Sequence, residues 1–388
     1  MLVYIIPILI CALSACSREL SLERRWAILI GVLFSLIYCW GYMTGSDWRA
    51  YEFWYDNLDF NRFYYGYTSE PGYYLYMMLM KKLHIPFWLF FSLTKTALFV
   101  IIYKSLFDMC RESGWLSLMY YLPCFGLYFF VDNPMRNCIA VGIFLISAKY
   151  IVEHRFWPFF FLILLAACFH LSALIIIPLY PLLNKDVKKM VYVVLYVVIN
   201  ALFWNRDLII NMVSGLASLL GIPYLNSKVI TYFLMDSDYV QGEVFSLMLI
   251  WQTLLFFLLI CYKERIVKAL GDKGLFAFNC SMVYFLLVRF VTSIQVLMRL
   301  QLFFSVYVCV CIGLIILSFE WRSRVLYMSL LFAISIYLCV EKTTATGRYI
   351  PYSNVIEYAL KGENPSFSAR FYYNMKHSPY TTDIDYGK

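Results

Sequence analysis

Three kinds of side chain in this 388-residue chain can do chemistry where almost nothing else is polar. They are arginines at the ends of apolar runs (Arg136, Arg299 and, inside one run, Arg289), a single imidazole within "LLAACFHLSALIIIPL" (His170), and carboxylates beside them (Asp47, Glu70). Guanidinium groups match phosphate oxygens in a planar, bidentate, permanently charged way, and two or three of them suit a pyrophosphate. A histidine as a residue type titrates near neutrality and can take a proton from a hydroxyl. Charged groups inside apolar segments are costly unless they face a wet cavity or a partner, so each is a candidate for function. The structural alternative differs from case to case. Arg136 and Arg299 can be interfacial anchors, Lys95 can pair with an acid on a neighbouring helix, and His170 can be a hydrogen-bonded core residue. His154 and His377 read as solvated.

The elements that must hold these groups follow from composition. With 62% hydrophobic residues, 14% charged and a mean hydropathy of +0.70, the chain cannot hide its apolar surface in a soluble core. The fold class is an all-α polytopic integral membrane protein. Runs long enough to approach the roughly 20 residues of a spanning helix occur at 2–17, 26–43, 86–103, 115–131, 136–152, 156–169, 171–183, 190–204, 243–262, 275–297, 300–318 and 325–340. The expected count is therefore about 12 segments, with a range of 10 to 13. The pair at 156–183 is too short for two crossings, so a V-shaped re-entry with His170 at its tip competes with one kinked, tilted helix.

The net charge of +8 lies in short clusters between these runs (Arg18, Arg24 and Arg25; Lys185, Lys188 and Lys189; Lys263, Arg265, Lys268 and Lys273). That is the pattern of topology signals rather than of nucleic-acid binding. Putting every compact basic loop in the cytoplasm leaves both termini outside, along with loops at about 44–85 and 205–242 and a tail at 341–388. Residues 1–340 then form one transmembrane domain. The segment 71–86 is expected to lie in the outer interface, with tyrosines at lipid level and Lys81 and Lys82 facing water. The tail either closes over a cavity or is loosely ordered. Twelve cysteines, without zinc-type spacing, read as reduced buried hydrophobes. Aromatics make up 20% of the chain. Trp48, Tyr51 and Tyr73 are candidates to stack on sugar rings, with interfacial anchoring as the alternative.

"GSDWRAY" (45–51), "SEPGYYLY" (69–76), "NPMRNCIAVGIFLISAKYI" (133–151), "FHLSALIIIPLY" (169–180) and "RYIPYSN" (348–354) together resemble the EpsG-like branch of the Wzy-type polysaccharide polymerases. Where that family often has glutamine after the arginine of the fifth segment, this chain has Asn137. The resemblance implies a GT-C-type glycosyltransferase in the bacterial cytoplasmic membrane, with its active site facing outside. It would join undecaprenyl-pyrophosphate-linked oligosaccharide repeat units into a surface polysaccharide such as a capsule, exopolysaccharide or O-antigen. On that reading Arg136 and Arg299, with Arg289, hold the leaving pyrophosphate, and His170 is the base, with Asp47 or Glu70 as replacements. No cofactor and no metal are expected. The expected partners are the lipid-linked glycan and the bilayer, with a chain-length regulator and a flippase as further candidates. The other readings left open are a lipid-linked oligosaccharide flippase, a sugar O-acyltransferase and an O-antigen ligase.

Overall fold

A backbone in hydrocarbon must satisfy its own hydrogen bonds, so apolar runs of this length fold as helices. The computed structural model describes residues 1–58, 70–202, 215, 247–293, 298–345 and 348–376. The loop expected at 205–242, His377 and the rest of the chain end lie outside these residues, except for Gly215. The described elements are α1 (Leu2–Cys16), α2 (Arg18–Leu22), α3 (Arg24–Cys39), α4 (Trp48–Asp56), α5 (Pro71–Lys82), α6 (Phe87–Met109), α7 (Arg111–Tyr121), α8 (Met135–Val152), α9 (Phe156–Phe169), α10 (Tyr180–Leu183) and α11 (Lys189–Leu202). After these come α12 (Leu247–Leu270), α13 (Asp272–Ser293), α14 (Met298–Gln301), α15 (Ser305–Leu317), α16 (Trp321–Ala345), α17 (Val355–Lys361) and α18 (Phe367–Lys376).

The protein is thus helical throughout its described residues, apart from one isolated bridge between Gly41 and Asn354. Among the described residues, five helical stretches are long and apolar enough to cross a membrane: Phe87–Met109, Arg111–Asp132, Met135–Val152, Arg299–Leu317 and Trp321–Ala345. The helices Leu2–Cys16, Phe156–Phe169 and Lys189–Leu202 are apolar but shorter. The described parts of the twelve apolar runs fall largely on helical segments, but among the described residues five is the number that length and composition alone support as spans. All twelve cysteines are free thiols.

Three local features set up the site. The stretch after α7 winds as a π-helix over Leu122–Asp132, a geometry that tends to occur where a side chain is aimed for function. It ends at Asn133, whose φ of 59° reverses the chain into α8; asparagine is one of the few non-glycine residues that tolerate this region. The run 156–183 breaks at His170, which is extended (φ −154°, ψ 115°) between α9 and a 3-10 turn over Leu171–Ile176. The Tyr180 ring then packs 5.1 Å from Phe156 and 5.0 Å from Phe159, at the start of α9. The chain has folded back on itself, and His170 stands at the tip of the V. Asn279 of α13 fixes the far end by donating to the carbonyls of Leu182, Leu183 and Lys185.

Two expectations are corrected. In α5 the tyrosines are not at lipid level: Tyr73 and Tyr74 are buried in an aromatic cluster with Trp48, Tyr51, Tyr55 and the start of α6. Lys81 does not simply face water but donates to the carbonyls of Tyr55 and Asp56 at 2.9 and 2.7 Å, capping the orphan carbonyls at the end of α4. Lys95 is buried with its ammonium 4.5 Å from the centre of the Phe91 ring, and among the described residues no acid pairs with it.

The described tail is ordered against the rest. Backbone bonds run from Gly45 N to Arg348 O (2.8 Å), Tyr42 N to Ser353 O (2.9 Å) and Val355 N to Trp40 O (2.8 Å). Farther on, Asn374 Nδ2 donates to the carbonyls of Met43 and Gly45, both at 2.9 Å. Arg370 of α18 pairs at 2.5 Å with Glu52 of α4, which is 2% exposed and also accepts from Trp88 Nε1 at 3.0 Å. A buried pair gains little over apolar packing, but losing one partner strands a charge at a cost of about 3–5 kcal/mol. Arg370→Ala should therefore undock α18, seen as early protease cleavage in the tail and a lowered Tm. Combining it with Glu52→Gln should recover part of the loss.

Candidate functional site

At the end of the bundle that carries α4, α5 and the tail, Glu70 is 7% exposed and receives three donors. His170 Nδ1 lies 2.7 Å from its Oε1, Leu171 N donates to the same oxygen at 3.3 Å, and Arg136 Nη1 approaches Oε2 at 2.5 Å. Burial pushes the Glu70 carboxyl up, but the His170 hydrogen bond and the charge on Arg136 outweigh it, holding the group below its usual range. Both oxygens are engaged, so Glu70 is a carboxylate that orients its neighbours rather than a base held in reserve. Its position depends on Gly72. A Cβ there would sit 3.0 Å from the carbonyl oxygen of Cys168, so glycine lets α5 press closely against the end of α9, two residues before His170, where a side chain would need its neighbour to give. Pro71, at the first position of α5, starts the helix immediately after Glu70.

Arg136 is in the first turn of α8. It also lies within electrostatic reach of the Tyr51 hydroxyl and 5.7 Å from the centre of the Trp54 ring. Tyr51, buried in α4, links this cluster to a second one, since it also lies within electrostatic reach of Asp47 and Arg299. Arg299 lies within electrostatic reach of Tyr128 of the π-helix, and its backbone carbonyl accepts from Asn137 Nδ2 at 3.2 Å. Asn137, which departs from the family's glutamine, thus ties the turn that carries Arg299 to the turn that carries Arg136.

Asp47 lies just before α4, in a loop that Gly45 permits. Gly45 has φ +79°, and a Cβ on it would fall 2.0 Å from the Val131 carbonyl oxygen. The loop rests on the end of the π-helix, where Asp132 accepts from Ser46 N (3.0 Å) and Ser46 Oγ (2.8 Å). The Asp47 carboxyl is pushed up to about 6 by burial and then by the charge of Asp132, against the opposing pull of Arg299, the Ser46 hydroxyl and Arg348.

The structure thus brings together Asp47, Glu70, Arg136, His170 and Arg299, with Tyr51 between them. It does not bring Arg289 to this group: its Nε donates to Asn200 Oδ1 of α11 at 2.6 Å, and it faces Tyr196. Trp48 and Tyr73 are 1% and 0% exposed, with Trp48 packed on Trp88 and Tyr73 on Tyr51. Rings whose faces are covered cannot stack on sugar, so their role here is to support α4 and α5. The half-buried Trp54, beside Arg136, is an aromatic that sequence reasoning passed over. Asp132, Ser46, Tyr128 and Arg348 were passed over as well. The signals for two of them were present, since Asp132 abuts the Asn-Pro turn and Arg348 opens "RYIPYSN".

A helical, multi-pass membrane protein with a buried cluster of arginines, carboxylates and one histidine at one end of its bundle is the class defined by fold and site. The chain matches the EpsG family over residues 24–354, most of its length, and belongs to that family. EpsG-like proteins are Wzy-type polymerases, so its activity is in general terms that of a polysaccharide polymerase, a glycosyltransferase-like role. No curated protein and no solved structure matches it.

The raised Asp47 value has a definite sign. Between the usual 3.8 and about 6 the unfolded chain ionises while the folded one stays protonated, so stability falls as pH rises through that window. At 1.36 kcal/mol per pH unit the full cost above pH 6 is about 3 kcal/mol. Asp47→Asn should therefore raise stability by about 2–3 kcal/mol at pH 7.5, with the gain vanishing below pH 4. Thermal unfolding of the purified protein across that range would check it.

Proposed function

We propose that this polymerase joins undecaprenyl-pyrophosphate-linked repeat units on the extracytoplasmic face, with lipid pyrophosphate as the leaving group. The observation that carries this reading is the Arg136–Glu70–His170 arrangement, with Tyr51 within electrostatic reach of both Arg136 and Arg299. With Nδ1 of His170 engaged by Glu70, Nε2 is the ring nitrogen presented to an acceptor. A carboxylate that fixes one nitrogen orients the ring and stabilises the imidazolium formed when the other takes a proton.

In the reaction, a hydroxyl oxygen of the acceptor sugar attacks the anomeric carbon of the donor chain. The hydroxyl proton passes to His170 Nε2. The anomeric C–O bond to the pyrophosphate breaks, and the bonding pair leaves with the lipid pyrophosphate. Charge grows on the phosphate oxygens as that bond breaks, and Arg136 and Arg299 offset it in a water-poor site, where such an interaction is strongest. The leaving group departs as a stabilised anion, so the step requires no proton donor for it. Trp54, next to Arg136, is placed to offer a ring face to a sugar near the reacting carbon.

The test uses full-length protein in lipid nanodiscs with an undecaprenyl-pyrophosphate repeat unit, EDTA and no nucleotide sugar. Wild type should give a product ladder. Arg136→Ala, Arg299→Ala and His170→Ala should each slow it by about 100-fold or more, the scale seen when one preorganised transition-state group is removed. Glu70→Gln should lower kcat/KM by loosening both His170 and Arg136, with the larger part in kcat because both groups act most strongly as the bond breaks. Intact substrate without a ladder, even with a chain-length regulator added, would reject the reading in favour of lipid-linked oligosaccharide transport. A ladder indifferent to Arg136→Ala would reject the arginine's role.

A further inference from the structure

Arg348 opens the last motif of the family-matched region, and the reaction outlined above gives it no task. Its backbone carbonyl accepts from Gly45 N at 2.8 Å, which sets the start of the tail against the loop carrying Asp47. Its Nη1 lies 3.3 Å from Asp132 Oδ2, and the same oxygen is 3.4 Å from the Tyr349 hydroxyl. Asp132 Oδ1 is the atom held by Ser46, whose hydroxyl is also 3.4 Å from Asp47 Oδ1. Asp47 in turn lies within the fields of both Arg299 and Arg348. The two guanidiniums come from distant parts of the chain, yet both act on Asp47, Arg348 being linked to it in turn through Asp132 and Ser46. Arg348 keeps about a quarter of its side chain exposed.

An acid lying in the fields of two arginines marks a place that would attract an incoming anion. Burial and the neighbouring Asp132 charge weaken its hold as a carboxylate, so a phosphoryl group with more charge and more acceptor oxygens can displace it. Two phosphoryl groups need more donors than Arg136 supplies while it is bound to Glu70. Arg289, turned toward Asn200, is not among the donors the described residues gather here.

We infer that Arg299 and Arg348 form a second phosphoryl subsite, in which Asp132 positions Arg348 and Asp47 yields to the entering anion. It rests on the pyrophosphate reading above and adds to it a residue from the tail. Arg136 would hold one phosphoryl of the diphosphate, and the Arg299–Arg348 pair the other. The groups facing Asp47 are Arg299, Arg348 of the tail, Asp132 and Tyr128 of the π-helix, Tyr51 of α4 and Cys138 of α8.

The experiment measures binding of inorganic pyrophosphate and of inorganic phosphate to the full-length protein in nanodiscs of neutral lipid, at fixed pH and salt. Wild type should prefer pyrophosphate. Arg348→Ala should weaken pyrophosphate at least tenfold and erase the preference, with Arg348→Lys recovering part of it. Asp132→Asn should weaken it less, and Asp47→Asn should tighten it. Arg370→Ala, which loosens the tail and the loop it clasps while removing no side chain of the subsite, serves as the control for a purely structural role. If Arg370→Ala costs as much as Arg348→Ala, or if Arg348→Ala binds pyrophosphate like wild type, the subsite is wrong while the polymerase reading stands. If wild type binds no pyrophosphate at all, the pyrophosphate reading itself fails, and the subsite with it.

Discussion

The arrangement at this end of the protein depends on one buried carboxylate. Glu70 can remain charged at 7% exposure only because an imidazole, a guanidinium and a backbone N–H converge on its two oxygens. Those donors come from three places: the start of α8, the tip of the hairpin that begins with α9, and the backbone just beyond it. Each place requires an irregular backbone. The π-helix and the left-handed Asn133 aim the start of α8, an extended His170 interrupts an otherwise unbroken apolar run, and Gly72 removes the side chain that would keep α5 away from Cys168. Losing any of these would weaken the set of donors that keeps a buried carboxylate charged.

Asp132 plays the corresponding part for the loop and the tail. It ends the π-helix and accepts from Ser46 on one oxygen, while Arg348 and Tyr349 meet the other. Gly45 allows the approach, with Val131 O only 2.0 Å from where a Cβ would stand. The tail is therefore more than a cover: it supplies a cation at the site and, through Arg370 and Asn374, holds the loop and helix that carry Asp47 and Tyr51. Part of this clasp, α17 and α18, lies beyond residue 354, where the match to the EpsG family ends.

The aromatic residues divide by position. Trp48, Tyr73, Phe90 and Phe91 form a packed platform in which rings meet edge to face or tilted, and this fixes α4 against α5 and α6. Tyr51 belongs to the same cluster, yet lies within electrostatic reach of Arg136 and Arg299, so the platform and the charged site share one residue. Aromatic and cationic side chains thus meet at one junction within a few residues.

By itself the sequence determined that the chain is a helical membrane protein. Its 62% hydrophobic content leaves no soluble alternative, and apolar runs of spanning length can meet their backbone hydrogen bonds only as helices. It also marked Arg136, His170, Glu70, Asp47 and Arg299, because a charge or imidazole in such surroundings is too costly to be incidental, and it placed His170 at a break, because 28 residues cannot make two crossings. Tertiary structure decided which of these groups meet. Arg289 looked equivalent to Arg299 in sequence, but its helix turns it toward Asn200. Arg348 and Asp132, 216 residues apart, gave no sign of being partners. Trp48 and Tyr73 looked like open platforms, and packing closed their faces. Residue type sets the cost of leaving a charge or ring unpartnered, whereas the partner is chosen by which helix ends the fold brings together.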